Sequence, residues 1–234
     1  MLLTVFWVLP ALGATQPPMT PAYLDHFDAQ KTSAALSNGE RLAYIDSGPR
    51  DAPPLVLIHG YTDSARDWAP IAPLLTPEFT QRLVLISSTG TAFGSDEPSE
   101  PPGGLVPVMA LRDPIDPDSG FMRDWWKISI RYNPEFARRQ RRDAAVIPAH
   151  VWLAIADQSL IGVDLRFMLP RVRAPTLLIW GGRDTLISEA GRDALRTGIA
   201  RTEVRIFTTL GHDLFWEGPP AVADALIGFL ARNK

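Results

Sequence analysis

A chain of 234 residues with 46% hydrophobic content buries roughly 70% of its unfolded surface, enough for one globular domain with a small inserted lobe and too little for two full domains. Its 23 basic and 26 acidic residues leave a net charge of −3, with no long basic stripe of the kind that phosphate-backbone binding needs, so nucleic acid is not expected as a partner. The absence of cysteine excludes disulfides, thiolate metal sites and a cysteine nucleophile together.

In chain order, Leu2-Leu3-Thr4-Val5-Phe6-Trp7-Val8-Leu9 runs into Pro10 and the small residues Ala11, Gly13 and Ala14. Residues 1–14 read as the hydrophobic part of a signal peptide with its cleavage site, which predicts a secreted or periplasmic protein. The missing Lys or Arg ahead of the apolar run leaves a second reading, a disordered or core-docked terminus of a cytoplasmic protein. About ten apolar residues are too few for a stable membrane span, where roughly 20 are needed.

After a leader containing Pro17, Pro18 and Pro21, two β-prone runs, 34–36 and 41–45, flank Ser37-Asn38-Gly39. That pattern predicts an opening hairpin. The apolar run Pro54-Leu55-Val56-Leu57-Ile58, ending in His59-Gly60, predicts a strand buried on both faces of a parallel sheet. A helix is expected next, capped by Asp63 or Ser64, with Trp68, Ile71, Leu74 and Leu75 at helical spacing and Pro70 and Pro73 restricting its regular part.

Residues 82–88 predict a second buried strand, and 89–104 a loop dense in Gly, Pro and Ser. From about 105 to 170 the pattern is helical, rich in charge and in Trp125, Trp126 and Trp152, and interrupts the strand-helix alternation as an inserted lobe would. Alternation resumes with a strand at 175–180, then Gly181-Gly182-Arg183-Asp184, a helix over 188–199, a strand over 203–207 and the loop Gly211-His212. A last helix opens at Pro219-Pro220, with Val222, Leu226, Phe229 and Leu230 on one apolar face. The implied fold class is α/β, a mainly parallel sheet covered by helices on both faces. In such sheets the loops after the strand C-termini carry function.

Leu57-Ile58-His59-Gly60-Tyr61, Trp180-Gly181-Gly182-Arg183-Asp184 and Gly211-His212, followed by Phe215-Trp216-Glu217-Gly218-Pro219, occur in the order of α/β-hydrolase motifs. The chain resembles that family, with a core over 15–104 and 171–234 and a helical cap inserted at 105–170. The resemblance implies that His212 is a catalytic base oriented by Asp184, and that Gly60 and the backbone N–H of Tyr61 belong to an oxyanion hole. On their residues alone, Asp184 could equally be a turn or helix-cap residue, and His212 and His59 structural histidines.

The resemblance breaks at the nucleophile. No G-x-S-x-G elbow occurs, nor a matching elbow with Asp. Gln81-Arg82-Leu83-Val84-Leu85-Ile86-Ser87-Ser88 resembles the strand that follows the nucleophile and its helix, which leaves the fold short by about two strands. Roughly 60 to 70 residues, judged from the usual size of such domains, would then be missing between Leu75 and Arg82. A rival alignment makes 83–98 the fourth strand and its loop. Ser88, at a strand end with Gly90 two places on, is the substitute nucleophile considered, ahead of Ser64 and Ser95.

Three functions follow as expectations. The first is hydrolysis of a small apolar ester or related acyl substrate by a Ser-His-Asp type mechanism. The second is an inactive deletion variant or pseudoenzyme that at most binds an apolar small molecule. The third is an interaction module built on Arg138-Arg139-Gln140-Arg141-Arg142 and the three tryptophans, features that more often make a solvated helix face and a helical core. No cofactor is expected, and no metal either, because His26, His59, His150 and His212 lie apart and none forms an HExxH pair.

Overall fold

The computed structural model describes residues 3–6, 17–37, 39, 41–47, 55–61, 63–75, 82–91, 106–126, 133–157 and 164–231. Asn38, Pro54, Ser95 and most of the expected loop at 89–104 lie outside them. The chain divides into two compact units. One contains Met1–Thr80, Arg131–Gln140 and Phe215–Lys234, the other Gln81–Ile130 and Arg141–Leu214.

In the first unit, α1 (Pro21–Ala29) starts at Thr20, whose side chain accepts from the N–H of Tyr23, as an N-cap should. Strands β2 (Thr32–Ala35) and β3 (Arg41–Tyr44) pair antiparallel, which is the expected hairpin, with Gly39 at φ +88° in the left-handed region its turn requires. A second sheet joins β1 (Leu3–Phe6), β4 (Asp46–Ser47) and β5 (Leu55–Ile58) in the order β4-β1-β5.

Here the structure corrects an expectation. β5 pairs antiparallel with β1, not with a parallel neighbour. Leu57 is buried while Val56 and Ile58 are 47% and 53% exposed. A run of four apolar residues carries no period, so it cannot report which of its faces is covered. The expected helix after it is also reduced, to two 3₁₀ turns, Ala65–Trp68 and Ala72–Leu74. Pro70 and Pro73 each remove a backbone donor. Ser64, one of the two expected caps, accepts from the N–H of Arg66.

These turns are buttressed by a buried polar cluster. Arg66, 3% exposed, grips Asp28 of α1 through Nε and Nη2 at 3.2 and 2.8 Å, and its Nη1 donates to Gln140 Oε1 at 2.9 Å. Ser64 Oγ donates to the same oxygen at 2.8 Å. Burial raises the pKa of Asp28, but the Arg66 hydrogen bond and charge outweigh it, so its carboxyl lies below the ordinary range. Gln140 lies on α4 (Pro134–Ala145), which carries the arginine run. That run is not simply a solvated face: Arg139 pairs with Asp25 at 2.7 Å and with Glu135 at 2.8 Å, and Gln140 is fully buried. The unit is completed by α8 (Pro219–Leu230), which buries Val222, Ala223, Leu226, Phe229 and Leu230, the apolar face expected of it.

The second unit holds a parallel sheet of β6 (Leu83–Ile86), β7 (Thr176–Gly181) and β8 (Thr202–Phe207) in that order. β7 lies in the middle and is buried at every position. β6, expected to be fully buried, is half-buried. The helical segments between β6 and β7 include α2 (Val106–Met109), α3 (Gly120–Trp125) and α5 (Ala149–Ile155). Parallel neighbours need a long crossover, and these helices occupy the one between β6 and β7. The Leu83 strand is thus the immediate neighbour of the strand that leads to Asp184. Between β7 and β8 runs α6 (Glu189–Gly198), capped by Ser188, whose side chain accepts from the N–H of Gly191. α6 packs on the sheet through Leu195 with Ile187 and Ile199, against Leu178, Trp180 and Leu169.

Two of the three tryptophans of the insertion are core residues. Trp126 is 4% exposed and Trp152 fully buried. Trp152 stacks edge-on against Phe121 and Trp125 at 6.1 and 5.5 Å, and its indole N–H donates to Ala144 O at 3.1 Å. Among the described residues no helix is long and apolar enough to cross a membrane. Replacing Trp152 with Ala is expected to lower stability by about 3–5 kcal/mol, the usual cost of emptying an aromatic core site. Urea unfolding followed by circular dichroism measures it.

Candidate active site

α7 (Leu214–Glu217) follows the loop that ends β8, and that loop meets the turn that ends β7. A Cβ on Gly181 would lie 2.0 Å from the carbonyl oxygen of Gly211 and 2.5 Å from that of Leu210, and one on Gly182 would lie 2.7 Å from Cα of Thr208. No side chain fits in either place. Backbone therefore meets backbone, and the N–H groups of Gly182 and Arg183 donate to Phe207 O and Leu210 O, each at 2.9 Å. The Gly-Gly pair lets a carboxylate two residues on reach the imidazole of the next loop.

The contact that results is His212 Nδ1 to Asp184 Oδ2 at 3.0 Å. The other oxygen, Oδ1, accepts from the N–H groups of Leu186 and Ile187 at 2.8 and 3.3 Å. Asp184 thus serves as turn cap and as partner of the histidine at once, one oxygen for each. Its side chain is 0% exposed and that of His212 22%. Burial raises the Asp184 pKa, but the His212 hydrogen bond and charge and the two backbone donors outweigh burial, holding it below the ordinary 3.8. An ionised carboxylate only accepts, so the Nδ1 proton stays on the ring and Nε2 is left as the basic nitrogen. Arg192 of α6 supports the turn, its Nη2 donating to Asp184 O at 3.2 Å and to Gly181 O at 3.4 Å.

The serines after β6 divide their contacts. Ser88 Oγ donates to Ile86 O at 3.1 Å, and Ser88 O accepts from the Trp180 indole at 2.9 Å. Ser87 Oγ donates to the main-chain oxygen of His212. The contact to the histidine is made by Ser87, which the sequence did not single out. Two adjacent serines at a strand end gave no signal as to which of them would turn towards the β8 loop.

Gly60 and Tyr61 belong to the first unit. There His59 Nδ1–H donates to Gly60 O at 2.7 Å, and burial pushes the His59 pKa down, which favours a neutral ring. Gly60 O also accepts from the N–H of Asp63 at 3.4 Å. Burial pushes the Tyr61 phenol up. Among the described residues no group of His, Cys, Asp and Glu is arranged to hold a metal ion.

No family profile matches the chain. Over 63 residues, 27% of this chain and 19% of the relative, it is 33% identical to monoacylglycerol lipase ABHD6 of Homo sapiens. Over 64 residues, 27% of this chain and 22% of the relative, it is 36% identical to the 2-hydroxy-6-oxononadienedioate/2-hydroxy-6-oxononatrienedioate hydrolase of Escherichia coli (strain K12 / DH10B). The match spans about a fifth of the length of these curated relatives. Among solved structures, a hydrolase from Pseudomonas aeruginosa PA01 is similar with a TM-score of 0.64 at 18% identity, covering 86% of this chain and 98% of that one. An esterase from Exiguobacterium antarcticum gives 0.53 at 14%, covering 97% and 91%.

Two outcomes are expected of this geometry. Gly181→Ala forces the β7 and β8 loops apart, lowering stability and breaking the Asp184–His212 contact; thermal unfolding and a crystal structure of the variant check both. Because the Asp184 pKa is depressed by folding, its stabilisation is fully present above 3.8 and is lost as pH falls through the lower folded value. Unfolding curves between pH 6 and about 2 should show wild type losing more stability than Asp184→Asn over that interval.

Proposed function

We propose that this chain, whose fold is similar to that of solved α/β-hydrolases, hydrolyses a small apolar ester or related acyl substrate. The observation that carries this reading is the hydrogen bond between buried Asp184 and His212 Nδ1. Asp184 orients the ring and stabilises its charged form, and His212 Nε2 takes a hydroxyl proton as that oxygen bonds to the acyl carbon. The same nitrogen then returns the proton to the leaving alcohol, and water repeats the sequence to release the acid. The resemblance assigns the backbone N–H of Tyr61, beside Gly60, to the oxyanion of the tetrahedral intermediate. The resemblance makes residues 105–170 a cap on the substrate side, and the named hydrolase and lipase relatives favour an acyl substrate.

A second reading is favoured by a separate observation. The sequence contains no G-x-S-x-G elbow, and the hydroxyl of Ser88, the substitute considered, is given to Ile86 O. In this reading the chain keeps the acid and base of a hydrolase without a nucleophile, and at most binds an apolar small molecule. Residues 1–14 are proposed as a cleaved leader of an exported protein. Cleavage there would remove β1 from β5, so the intact mass of the protein recovered from an exporting host decides between leader and strand.

Hydrolysis of short-chain p-nitrophenyl esters, measured beside His212→Ala and Ser88→Ala, separates the two functional readings. Turnover well above buffer that His212→Ala abolishes supports a working hydrolase, and simultaneous loss in Ser88→Ala identifies the nucleophile. Wild type at the level of His212→Ala supports the inactive reading.

A further inference from the structure

The turn after β6 is fastened on every side. The N–H of Ser87 donates to Ile179 O at 2.9 Å, the N–H of Gly90 donates to Gly191 O at 3.0 Å, and Ser88 O accepts from the Trp180 indole. Within it Ser87 has φ +47°, the one non-glycine at positive φ among the described residues. Such a backbone is rarely adopted by residues with a side chain, and glycine would sit there without strain. What serine offers and glycine does not is its hydroxyl, and that hydroxyl donates to the main-chain oxygen of His212.

We infer that Ser87 is a positioning residue for His212: by holding the His212 carbonyl, its hydroxyl fixes the β8 loop where Nδ1 meets Asp184. The inference rests on the acid-base reading of Asp184 and His212. A carbonyl held on one side and a ring held on the other limit the torsions of His212 between them, so that the direction of Nε2 is set by two loops. A backbone strained in this way persists where its surroundings over-determine it, and here three neighbouring hydrogen bonds do so. The hydroxyl proton of Ser87 is used in this bond, which gives it a part distinct from that of a nucleophile.

Imidazole NMR of the full chain tests this without requiring turnover. Wild type is expected to show a low-field Nδ1–H resonance of His212 that Asp184→Asn loses. Ser87→Gly relieves the strained φ and stays folded with undiminished thermal stability, yet its Nδ1–H exchanges with water about tenfold faster, the effect of one lost hydrogen bond. Ser87→Asn tolerates the same φ and supplies an amide donor, so it restores slow exchange. If Ser87→Gly exchanges as slowly as wild type, or Gly and Asn behave alike, Ser87 is a turn residue and the inference is overturned while the Asp184–His212 pair stands. If wild type already lacks the resonance, the pair itself is wrong and the inference goes with it.

Discussion

The structure around the candidate site depends on one close approach, the passage of Gly181 and Gly182 against the backbone of the loop after β8. With 2.0 Å between a built Cβ on Gly181 and Gly211 O, that contact is open to glycine alone. Everything chemical in the second unit follows from it. The two loops share backbone hydrogen bonds, Asp184 comes within 3.0 Å of His212, and the fully buried strand β7 keeps the turn from drifting. The core of Leu178, Trp180, Leu195 and Ile199 supplies the rigid base, since packed interiors do not yield in small steps.

The electrostatics follow the same geometry. A buried carboxylate is costly unless hydrogen bonds to its charged form compensate, and Asp184 has three donors, two from the backbone and one from His212. The result is an acceptor that stays ionised at neutral pH and orders the tautomer of the histidine. This is the preparation that a general base needs. It does not by itself supply a nucleophile, and no G-x-S-x-G elbow occurs in the sequence.

Much of the second unit was legible in the sequence because each signal there had a single physical meaning. The run Leu177-Leu178-Ile179-Trp180 is apolar throughout because both faces are covered. Ser188 marks a true helix start there, as the Pro219-Pro220 pair does in the first unit, and Asp184 and His212 meet as their order implied. Elsewhere one pattern had two causes. Leu55-Val56-Leu57-Ile58 is as apolar as β7, yet pairs with β1 and exposes alternate residues. The leader-like residues 3–6 form a strand, because a short apolar run suits either. The prolines at 70 and 73 outweighed helical spacing, and the arginine run hid a buried Gln140 and a paired Arg139. Ser87 was beyond reach: its importance lies in a positive φ and in a partner 125 residues away, neither of which leaves a trace in the local sequence.

A double-mutant cycle between Asp184 and His212, read as unfolding free energy with Asp184→Asn, His212→Ala and the double variant at pH 6 and again near pH 2, tests the central claim most directly. The account predicts a coupling of about 1–3 kcal/mol at pH 6 that weakens as pH falls through the depressed folded pKa of Asp184. Additive losses at pH 6 would contradict it, because the two side chains would then not form the bond on which the site is built.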